Sequence, residues 1–322
     1  MKYIFDCELI PMKLSLVVPC YNEADNVAAF QDAVISAFDG CGYDYEIVFV
    51  DDGSRDATLH NLRKLHKAKK CPTKVISFSR NFGKEAGLYA GLQHAGGEYI
   101  SFIDADLQQR PELVREMVKI LDMEPQFDVV AAYQDRRGES KLLSFFKKSF
   151  YAIINKLSKV TLQSDASDFR TFRRSVRDSI LELTEYHRFS KGIFAWVGYS
   201  THFIPYTACQ RYAGTTKWNF WKLLDYAIEG IIGYSTAPLR FATITGCFTA
   251  AAAFLYLVWV IIEKLCFGIP VPGYATIIVL ILLLGGIQLL CIGIIGEYVG
   301  RIFEQSKDRP IYIAKEILSY EE

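Results

Sequence analysis

Short apolar runs alternate with longer amphipathic stretches along the first 135 residues of the chain. The apolar runs are rich in β-branched and aromatic residues, as is typical of buried strands; they are Leu14–Val18, Glu46–Val50, Val75–Phe78, Tyr99–Ile103 and Val129–Ala132. Apolar residues recur at helical spacing in the segments between them, namely Asp25–Phe38, Asp56–Ala68, Lys84–Ala95 and Pro111–Leu121. Buried strands that alternate with helices predict an α/β fold with a doubly wound, mostly parallel sheet.

The C-terminal part of the chain has a different pattern, because two long stretches carry no charged residue. Phe241–Ile262 and Tyr274–Gly296 are each long enough to cross a bilayer. A short turn with proline and glycine separates them. Two buried core helices of a large soluble domain are the alternative, but uncharged runs of this length are typical of membrane spans. The pattern therefore predicts a C-terminal hairpin of two transmembrane helices.

Basic residues flank this predicted hairpin on one side. Arg240 precedes the first span, and the segment after the second span contains Arg301, Lys307, Arg309 and Lys315. Because basic flanks tend to stay in the cytoplasm, both termini are expected on the cytoplasmic side. This predicts a multi-pass protein of the cytoplasmic (inner) membrane.

Two further segments have the composition of helices that lie in the lipid headgroup layer. Lysines interleave with aromatic residues at helical spacing in Lys141–Lys159, and tryptophans and tyrosines lead into the first span in Trp218–Tyr234. For the first segment, an ordinary amphipathic helix packed on the sheet is the alternative. We expect these segments to hold the sheet domain close to the headgroups.

Composition agrees with a membrane protein and gives no reason to expect a nucleic-acid partner. Hydrophobic residues make up 51% of the chain, while 36 Lys and Arg balance 36 Asp and Glu. The eight cysteines form no C-x-x-C pair and no zinc-like spacing, so we expect them to be reduced and structural. Asp6 and Glu8 interrupt the apolar N-terminus, and a signal peptide is therefore not expected.

Acidic residues occur in the loops after three of the predicted strands. Glu23 follows the first strand, Asp51 and Asp52 follow the second, and Asp104 and Asp106 follow the fourth. Parallel strands end at the same edge of a sheet, so these carboxylates should gather there. Ordinary turns and helix caps explain part of the second loop equally well. Crowded carboxylates repel each other unless a cation neutralises them, which predicts a Mg²⁺ or Mn²⁺ ion shared with substrate phosphates.

Two common phosphate-binding motifs are absent from the sequence. Gly83-Lys84 is not part of a G-x-x-x-x-G-K-[ST] motif, and no G-x-G-x-x-G follows the first strand. Neither a P-loop nor a dinucleotide cofactor is therefore expected. Gly83, Gly87 and Gly91 instead recur every four residues, which predicts a helix face that permits close packing.

The order of the motifs resembles that of a known family. VPCYNE, VDDGSRD, FSRNFGKEAGLYAGL and FIDADLQQRPE are similar to the family 2 inverting glycosyltransferases of GT-A fold. The rest of the chain resembles the polyprenyl-phosphate glycosyltransferase branch, which includes bactoprenol glucosyltransferases and dolichyl-phosphate mannose synthases. The matching segments there are Arg136–Ser140, Ser167–Arg170, His187–Phe189, Ala195–Gly198, Arg211–Trp218 and the terminal hairpin. The resemblance covers nearly all of the chain after residue 12.

This resemblance implies a donor pocket at the ends of the first, second and fourth strands. Pro19, Tyr21, Glu23 and Asp52 would line the nucleoside pocket, with Asp52 reading the base. Asp104 would contact the ribose or the sugar.

The resemblance also implies catalytic and phosphate-binding residues. Asp106 would hold the metal, and Gln108 would lie beside the donor. Asp168 matches the acceptor-side carboxylate that is usually assigned as the base, with a surface turn residue as the alternative. Arg211 and Lys217 would contact phosphates, although a solvated basic loop explains them equally well without the family match.

The implied activity is transfer of a hexose from a nucleoside diphosphate sugar to polyprenyl (undecaprenyl) phosphate with inversion. UDP-glucose is the favoured donor, and GDP-mannose or another UDP-hexose remains an alternative. A catalytically dead sugar-nucleotide sensor or scaffold is a less favoured alternative, and a processive synthase would require the Q-x-x-R-W motif that the chain lacks. Because the acceptor phosphate is already ionised, we expect Asp168 to orient the acceptor more than to deprotonate it.

These observations predict five regions. Residues 1–12 are an unassigned extension, 13–217 a cytoplasmic GT-A catalytic domain, 218–240 an interfacial helix, 241–298 the two spans and 299–322 a cytoplasmic tail. The expected partners are the sugar nucleotide, the lipid phosphate and the membrane. A homo-oligomer remains open, because the sequence carries no signal for oligomeric state.

Overall fold

The computed structural model describes residues 13–134, 155, 166–207, 209, 231–267 and 273–320. The predicted interfacial segment 141–159 lies outside these residues apart from residue 155, and so does most of the segment 218–234. The cysteines within the described residues are all free thiols, as expected.

One mixed sheet forms the centre of the described structure. Its strands are β1 (Leu14–Cys20), β2 (Tyr45–Asp51), β3 (Thr73–Phe78), β4 (Tyr99–Phe102), β5 (Val129–Gln134), β6 (Ala166–Arg173), β7 (Thr201–Tyr206) and β8 (Ala314–Leu318). Their order is β7-β5-β6-β4-β1-β2-β3-β8. The neighbours β4, β1, β2 and β3 are parallel, as are β5 and β7, whereas β6 is antiparallel to both β4 and β5. The predicted α/β fold with a mostly parallel sheet is confirmed.

Helices cover the sheet, and the last two form the hairpin. They are α1 (Val27–Phe38), α2 (Thr58–Ala68), α3 (Lys84–His94), α4 (Pro111–Met123), α5 (Arg174–Leu181), α6 (Ser190–Val197), α7 (Ala237–Phe267) and α8 (Tyr274–Ser306). The first four differ from the predicted helices by no more than about two residues at either end, which is the usual uncertainty of a helix boundary.

Strand β1 shows why these runs are apolar throughout. Leu16 and Val18 point into one buried cluster with α1 and α4, while Val17 points into the cluster on the opposite face. Alternate side chains of a strand face opposite sides of the sheet, so a strand covered on both faces has no polar side.

Helix α3 packs closely on β1 because of its glycines. A Cβ atom on Gly91 would lie 2.1 Å from Cγ1 of Val17, whereas one on Gly87 would lie at an ordinary 3.4 Å from Pro19. The predicted packing face is therefore confirmed at Gly91. Gly83 does not belong to it, because this residue precedes the helix with a φ of +97°, and a Cβ atom there would have no neighbour within 4 Å among the described residues.

The segment after the second span is not a simple tail. Strand β8 returns to the sheet and pairs antiparallel with the edge strand β3. The Arg63 guanidinium makes two-pronged contact with Glu316, and the Tyr320 hydroxyl donates to the buried Glu46 carboxylate at 3.0 Å. The prediction of a tail from residue 299 onward omitted this strand, because a single short segment with alternating exposure carries little pattern of its own.

Helices α7 and α8 form the predicted hairpin, and both are long and apolar enough to cross a membrane. Their apolar side chains point outward: Phe254 is 64% exposed, Trp259 is 65% exposed and Leu289 is 72% exposed. A surface of this kind is stable in lipid rather than in water. The candidate spans Ala237–Glu263 and Val279–Ser306 overlap the predicted ones and extend beyond them toward the sheet domain.

Candidate active site

The loops after β1 and β2 are joined by hydrogen bonds at the carboxyl edge of the sheet. The Asn22 amide donates to the Ser54 hydroxyl at 3.0 Å, and the Arg55 amide donates to the Asn22 side chain at 2.9 Å. The Glu23 amide donates to the Thr58 hydroxyl at 2.8 Å. Three residues predicted to line the nucleoside pocket are half-buried at the end of β1 or in the loop after it; they are Pro19, Tyr21 and Glu23.

Gly53 allows the second loop to approach the loop after β3. Its φ is +64°, and a Cβ atom there would lie 2.4 Å from the carbonyl carbon of Arg80. Since backbone cannot move away as a flexible side chain can, only glycine fits this position.

Electrostatic effects on Cys20 show that the acidic loops gather at one place. Burial and the nearby carboxylates of Glu23, Asp51 and Asp104 all raise the pKa of the Cys20 thiol well above its ordinary value. Glu23 and Asp104 belong to the loops after β1 and β4, and Asp51 is the last residue of β2. These carboxylates thus lie near enough to affect one thiol, although within the described residues no three His, Cys, Asp or Glu side chains cluster as a metal site.

Asp52 is buried and accepts hydrogen bonds from the loop that leads into α3. The Phe82 amide donates to it at 2.6 Å and the Gly83 amide at 3.0 Å. Burial raises the pKa of Asp52 to about 6, although these two amides act in the opposite direction. The carboxylate therefore fixes the start of α3, and its predicted reading of the nucleotide base stays a prediction.

The loop after β4 holds the two aspartates in a tight turn. Gln109 is buried, and its side chain accepts from the Asp104 amide at 3.0 Å and donates to the Asp104 carboxylate at 3.3 Å. Asp106 accepts from the Gln108 amide at 3.1 Å, around Leu107 with a φ of +59°. Gln109 was not among the predicted site residues, and it positions Asp104.

Lys84, the first residue of α3, connects the fourth-strand loop to Asp168. Its Nζ lies 2.8 Å from Oδ1 of Asp104 and 3.3 Å from Oδ2 of Asp168. The sequence analysis considered Lys84 only as part of a possible P-loop, and the chain lacks that motif. The signal that could have found it is its position directly after a strand-end loop, at the edge where the carboxylates gather.

Asp168, on β6, is strongly acidic. Burial would raise the pKa of its carboxyl group, but the positive charges of Lys84, Lys191 and Arg170 outweigh burial and lower the pKa to about 2. Burial alone would lower the pKa of Lys84. The negative charges of Asp104 and Asp168 outweigh the effect of burial, so the pKa of Lys84 is raised above its ordinary value. Oδ1 of Asp168 is buried and has no hydrogen-bond partner within the described residues, so it can accept one from a ligand.

A cavity of about 430 Å³ opens beside Asp168 and Lys84. It runs past the loop that contains His187 and Arg188 to residues at the base of the hairpin, including Arg301. The sequence indicated the His187–Phe189 segment through the family match, but not the contribution of the hairpin.

Glu85 lies in the wall of this cavity and accepts a hydrogen bond from the Ser190 amide at 3.1 Å. Burial and the Asp168 charge raise the pKa of Glu85 to about 7. Sequence reasoning gave Glu85 no role, because a single glutamate in the first turn of a helix is an ordinary feature.

The predicted site residues fall into two groups within the structure. The end of β1 and the loops after β1 and β2 hold the first group, which is Pro19, Tyr21, Glu23 and Asp52. The second group is Asp104, Asp106, Gln108 and Asp168, of which Asp104 and Asp168 share Lys84. Arg211 and Lys217, predicted to contact phosphates, lie outside the described residues.

Comparison with known proteins gives matches over both parts of the chain. A family model described as glycosyl transferase family 2 matches residues 15–181, and one described as the GtrB C-terminal hairpin matches residues 237–302. The bactoprenol glucosyl transferase of Shigella phage SfV is 43% identical over 305 residues, which cover 94% of this chain and 98% of that protein. The prophage bactoprenol glucosyl transferase homolog of Escherichia coli (strain K12) is 41% identical over 307 residues, covering 95% and 99%.

Solved structures of similar fold are more distant in sequence. Glucosyl-3-phosphoglycerate synthase from Mycobacterium tuberculosis, in complex with Mn²⁺, UDP-glucose and glycerol 3-phosphate, is 19% identical with a TM-score of 0.47. The match covers 69% of this chain and 78% of that one.

Proposed function

The chain belongs to glycosyl transferase family 2, and from that premise we propose that it transfers a hexose from a nucleoside diphosphate sugar to polyprenyl phosphate. UDP-glucose and undecaprenyl phosphate are the substrates that we favour. The choice of glucose and of a lipid acceptor is supported by relatives that are named bactoprenol glucosyl transferases and that match nearly the whole chain. The fold is of the GT-A type that the sequence resemblance implied.

The observation that carries the proposal is the cavity that joins Asp168 to the base of the hairpin. Its wall includes Lys84 and Asp168 together with Tyr234 and Arg301, which adjoin or belong to the membrane-spanning helices. A soluble donor can reach the strand-end loops from water. An acceptor whose chain lies in lipid can reach the same place from the hairpin side.

The pairing of β8 with β3 supports the proposed orientation. The sheet domain precedes α7 and β8 follows α8, yet both belong to one sheet. Both parts therefore lie on the same side of any bilayer that the hairpin crosses. The basic residues Arg240, Lys307 and Arg309 lie near that side, which supports a cytoplasmic face.

The proposed reaction is a single displacement. An oxygen of the acceptor phosphate attacks the anomeric carbon, and the bond from that carbon to the donor diphosphate breaks. The bonding electron pair leaves with the nucleoside diphosphate. One displacement inverts the anomeric centre, so an α-linked donor gives a β-linked product. The acceptor phosphate is ionised at neutral pH, so no proton has to be removed.

The state of Asp168 fits this chemistry. With a pKa of about 2, the carboxylate is a weak base at neutral pH. Its pairing with Lys84 fixes its position, and its buried Oδ1 is available to a ligand. We infer that Asp168 orients the acceptor indirectly, by holding the cationic Lys84 in place, and that Lys84 supplies positive charge beside the departing diphosphate.

The acidic loop after β4 suits a divalent metal ion. A Mg²⁺ or Mn²⁺ ion needs only one or two carboxylates from the protein, because substrate phosphates and water complete its ligands. Within the described residues, no three His, Cys, Asp or Glu side chains cluster as a metal site, so the chain alone would supply part of the ligand set. Asp106 would hold such an ion, which would neutralise charge on the leaving diphosphate.

A donor screen tests the proposed function. Purified full-length protein is incubated with Mg²⁺, undecaprenyl phosphate and each sugar nucleotide in turn, and lipid-linked product is measured by mass spectrometry. We expect lipid phosphate hexose from UDP-glucose and none in the Asp168→Asn control at comparable donor binding. If sugar nucleotide binds but no donor gives a lipid-linked product, the chain is a sugar-nucleotide sensor rather than a transferase.

A further inference from the structure

The second span contributes a charged side chain to the cavity beside Asp168. Arg301 lies near the end of α8, and its side chain is only 18% exposed. An arginine that merely reaches for the headgroup layer would extend its guanidinium into solvent. Lys307 and Arg309, which follow α8, are both exposed and meet that description. Arg301 instead forms part of the cavity wall.

The guanidinium of Arg301 has unused hydrogen-bonding capacity. Its Nε is buried and has no hydrogen-bond partner within the described residues. The carboxylate of Glu297, one helical turn earlier, has its Oε1 at 3.6 Å from this Nε, which is too far for a hydrogen bond. A buried donor without a partner carries a cost of desolvation, which a ligand can remove.

Two other cations of the cavity wall are already occupied. Lys84 pairs with Asp104 and Asp168. The Arg188 guanidinium donates to the Leu183 carbonyl at 2.6 Å and lies over the Tyr89 ring. Among the lysines and arginines of the wall that the structure describes, Arg301 is therefore the one with a buried donor left for an anion.

The position of Arg301 relative to the sheet domain is fixed by contacts at the end of α8. The Gln305 side chain accepts from the Tyr186 amide at 2.8 Å and donates to the Thr184 carbonyl at 3.3 Å. Glu304 contacts the His187 ring. These contacts bind α8 to the loop that contributes Tyr186 and His187 to the cavity wall, so the helix that carries Arg301 is docked beside the cavity.

An anion is the ligand that suits this cavity. Lys84, Arg188 and Arg301 carry positive charge there, against the two acidic residues Glu85 and Asp168. A phosphate monoester brings the compensating negative charge and oxygen acceptors that match the planar guanidinium.

We propose that Arg301 binds the phosphate group of the lipid acceptor, so that the second span completes the acceptor site as well as anchoring the enzyme. This inference rests on the proposed transfer to a prenyl phosphate and names the residue that recognises it. The donor diphosphate is bound at the strand-end loops and does not require Arg301.

Equilibrium binding tests the inference without turnover. Full-length parent, Arg301→Gln and Arg301→Lys proteins are titrated with a short, water-soluble prenyl phosphate, and tryptophan fluorescence or calorimetry gives the Kd. We expect Arg301→Gln to weaken binding roughly 10- to 100-fold, the usual cost of one charged hydrogen-bonded contact, and Arg301→Lys to weaken it less. Arg309→Gln removes an exposed basic residue at the same end of the hairpin and should bind like the parent.

Three comparisons decide the result. The matching prenyl alcohol lacks the phosphate, so its binding should be equal in parent and Arg301→Gln. UDP binding with Mg²⁺ should also be unchanged, which confirms that the variant is folded. Equal prenyl phosphate affinity in parent and Arg301→Gln overturns the inference, and so does a loss confined to UDP.

Turnover then separates this inference from the proposed function. With an active parent, Arg301→Gln should raise the acceptor KM for long and short prenyl phosphates alike, whereas a mere headgroup anchor would affect the long-chain acceptor alone. If the parent forms no product with any donor, the proposed function fails. The binding data still decide whether Arg301 recognises the phosphate.

Discussion

The donor side and the acceptor side of the proposed active site are built in different ways. The donor side consists of loops after β1, β2 and β4, which come from the first third of the chain and are joined by contacts such as that of Asn22 with Ser54. The acceptor side takes its residues from segments that are far apart in the sequence, namely Glu85, Asp168, Arg188 and Arg301. The donor side is thus a property of one sheet edge, whereas the acceptor side exists only when the hairpin is docked.

This difference has a functional consequence. A sugar nucleotide is a soluble molecule, and a rigid loop cluster on a sheet edge is sufficient to bind it. The phosphate group of the proposed lipid acceptor stays at a fixed depth in the membrane. The donor loops would therefore have to lie at that same depth for transfer to occur. In the proposed acceptor site, a wall formed partly by the membrane-spanning helices would fix this depth, so anchoring and recognition would depend on the same element.

The largest expected effect comes from the proposed metal site on the donor side. Asp106→Asn should lower kcat by about 100- to 1000-fold, because stabilisation of the leaving diphosphate is lost. Chelation of the parent with EDTA should have a similar effect, and acceptor binding should be unchanged. The substitution Asp39→Asn, at an exposed position, serves as a control with parent activity. Full activity in EDTA would refute the metal assignment.

Lys84 stands between the two sides, so its removal should affect both. Lys84→Gln should lower kcat about 10- to 100-fold, in line with the loss of one charged contact. Lys84→Arg should retain more activity, and Lys119→Gln, at an exposed position, should retain all of it. Parent-like kinetics of Lys84→Gln would show that its two ion pairs are only structural.

The pH dependence of the Lys84→Gln variant sharpens this test. In the parent, Lys84 helps to lower the pKa of Asp168 to about 2, so Asp168 remains ionised throughout an ordinary pH range. Without Lys84 that pKa rises, and the acid limb of the kcat profile should move to higher pH. The stabilising contribution of a lowered pKa is present above the unfolded value, about 3.9, and is lost as the pH falls toward the folded value. An unchanged acid limb would contradict the assignment.

A smaller effect, on stability rather than chemistry, tests the packing of α3 beneath the site. Gly91→Ala places a methyl group against Val17 and should lower the free energy of unfolding by about 1–3 kcal/mol, measured as a lower midpoint of thermal denaturation. Gly87→Ala has room and gains helix propensity, so it should remain within about 1 kcal/mol of the parent. Equal effects of the two substitutions would show that α3 and β1 do not approach each other so closely at Gly91.

The donor side could be predicted from the sequence because its signals are local. Each buried strand is a continuous apolar run, and the polar residues directly after it must lie at one sheet edge. Strands β1 to β5 and the carboxylates after β1, β2 and β4 follow from this rule. Lys84 was missed because its partner Asp168 lies on β6, whose sequence ASDFRTFR has no long apolar run.

The acceptor side could not be predicted because it depends on how distant segments pack. The hairpin was clear from its length and lack of charge, but hydrophobicity does not specify where its end docks. The contacts of Gln305 with Thr184 and Tyr186 involve backbone groups, which any sequence offers. Strand β8 also pairs with β3 through backbone hydrogen bonds, and the side-chain partners of this segment, Arg63 and Glu46, lie far away in the sequence, so no local pattern indicates the return of the chain to the sheet.

The most direct test of the account compares Asp52→Ala with Arg301→Gln in one steady-state assay of the full-length enzyme. Asp52 belongs to the donor loops and Arg301 to the hairpin, so the first variant should raise the donor KM about tenfold with a small change in kcat. The second should raise the acceptor KM and leave the donor KM unchanged. If the two sides are built separately, each variant should change the KM of a different substrate. If both variants alter the same substrate's KM, or if Arg301→Gln leaves the acceptor KM at the parent value, the hairpin does not form the acceptor side of the site.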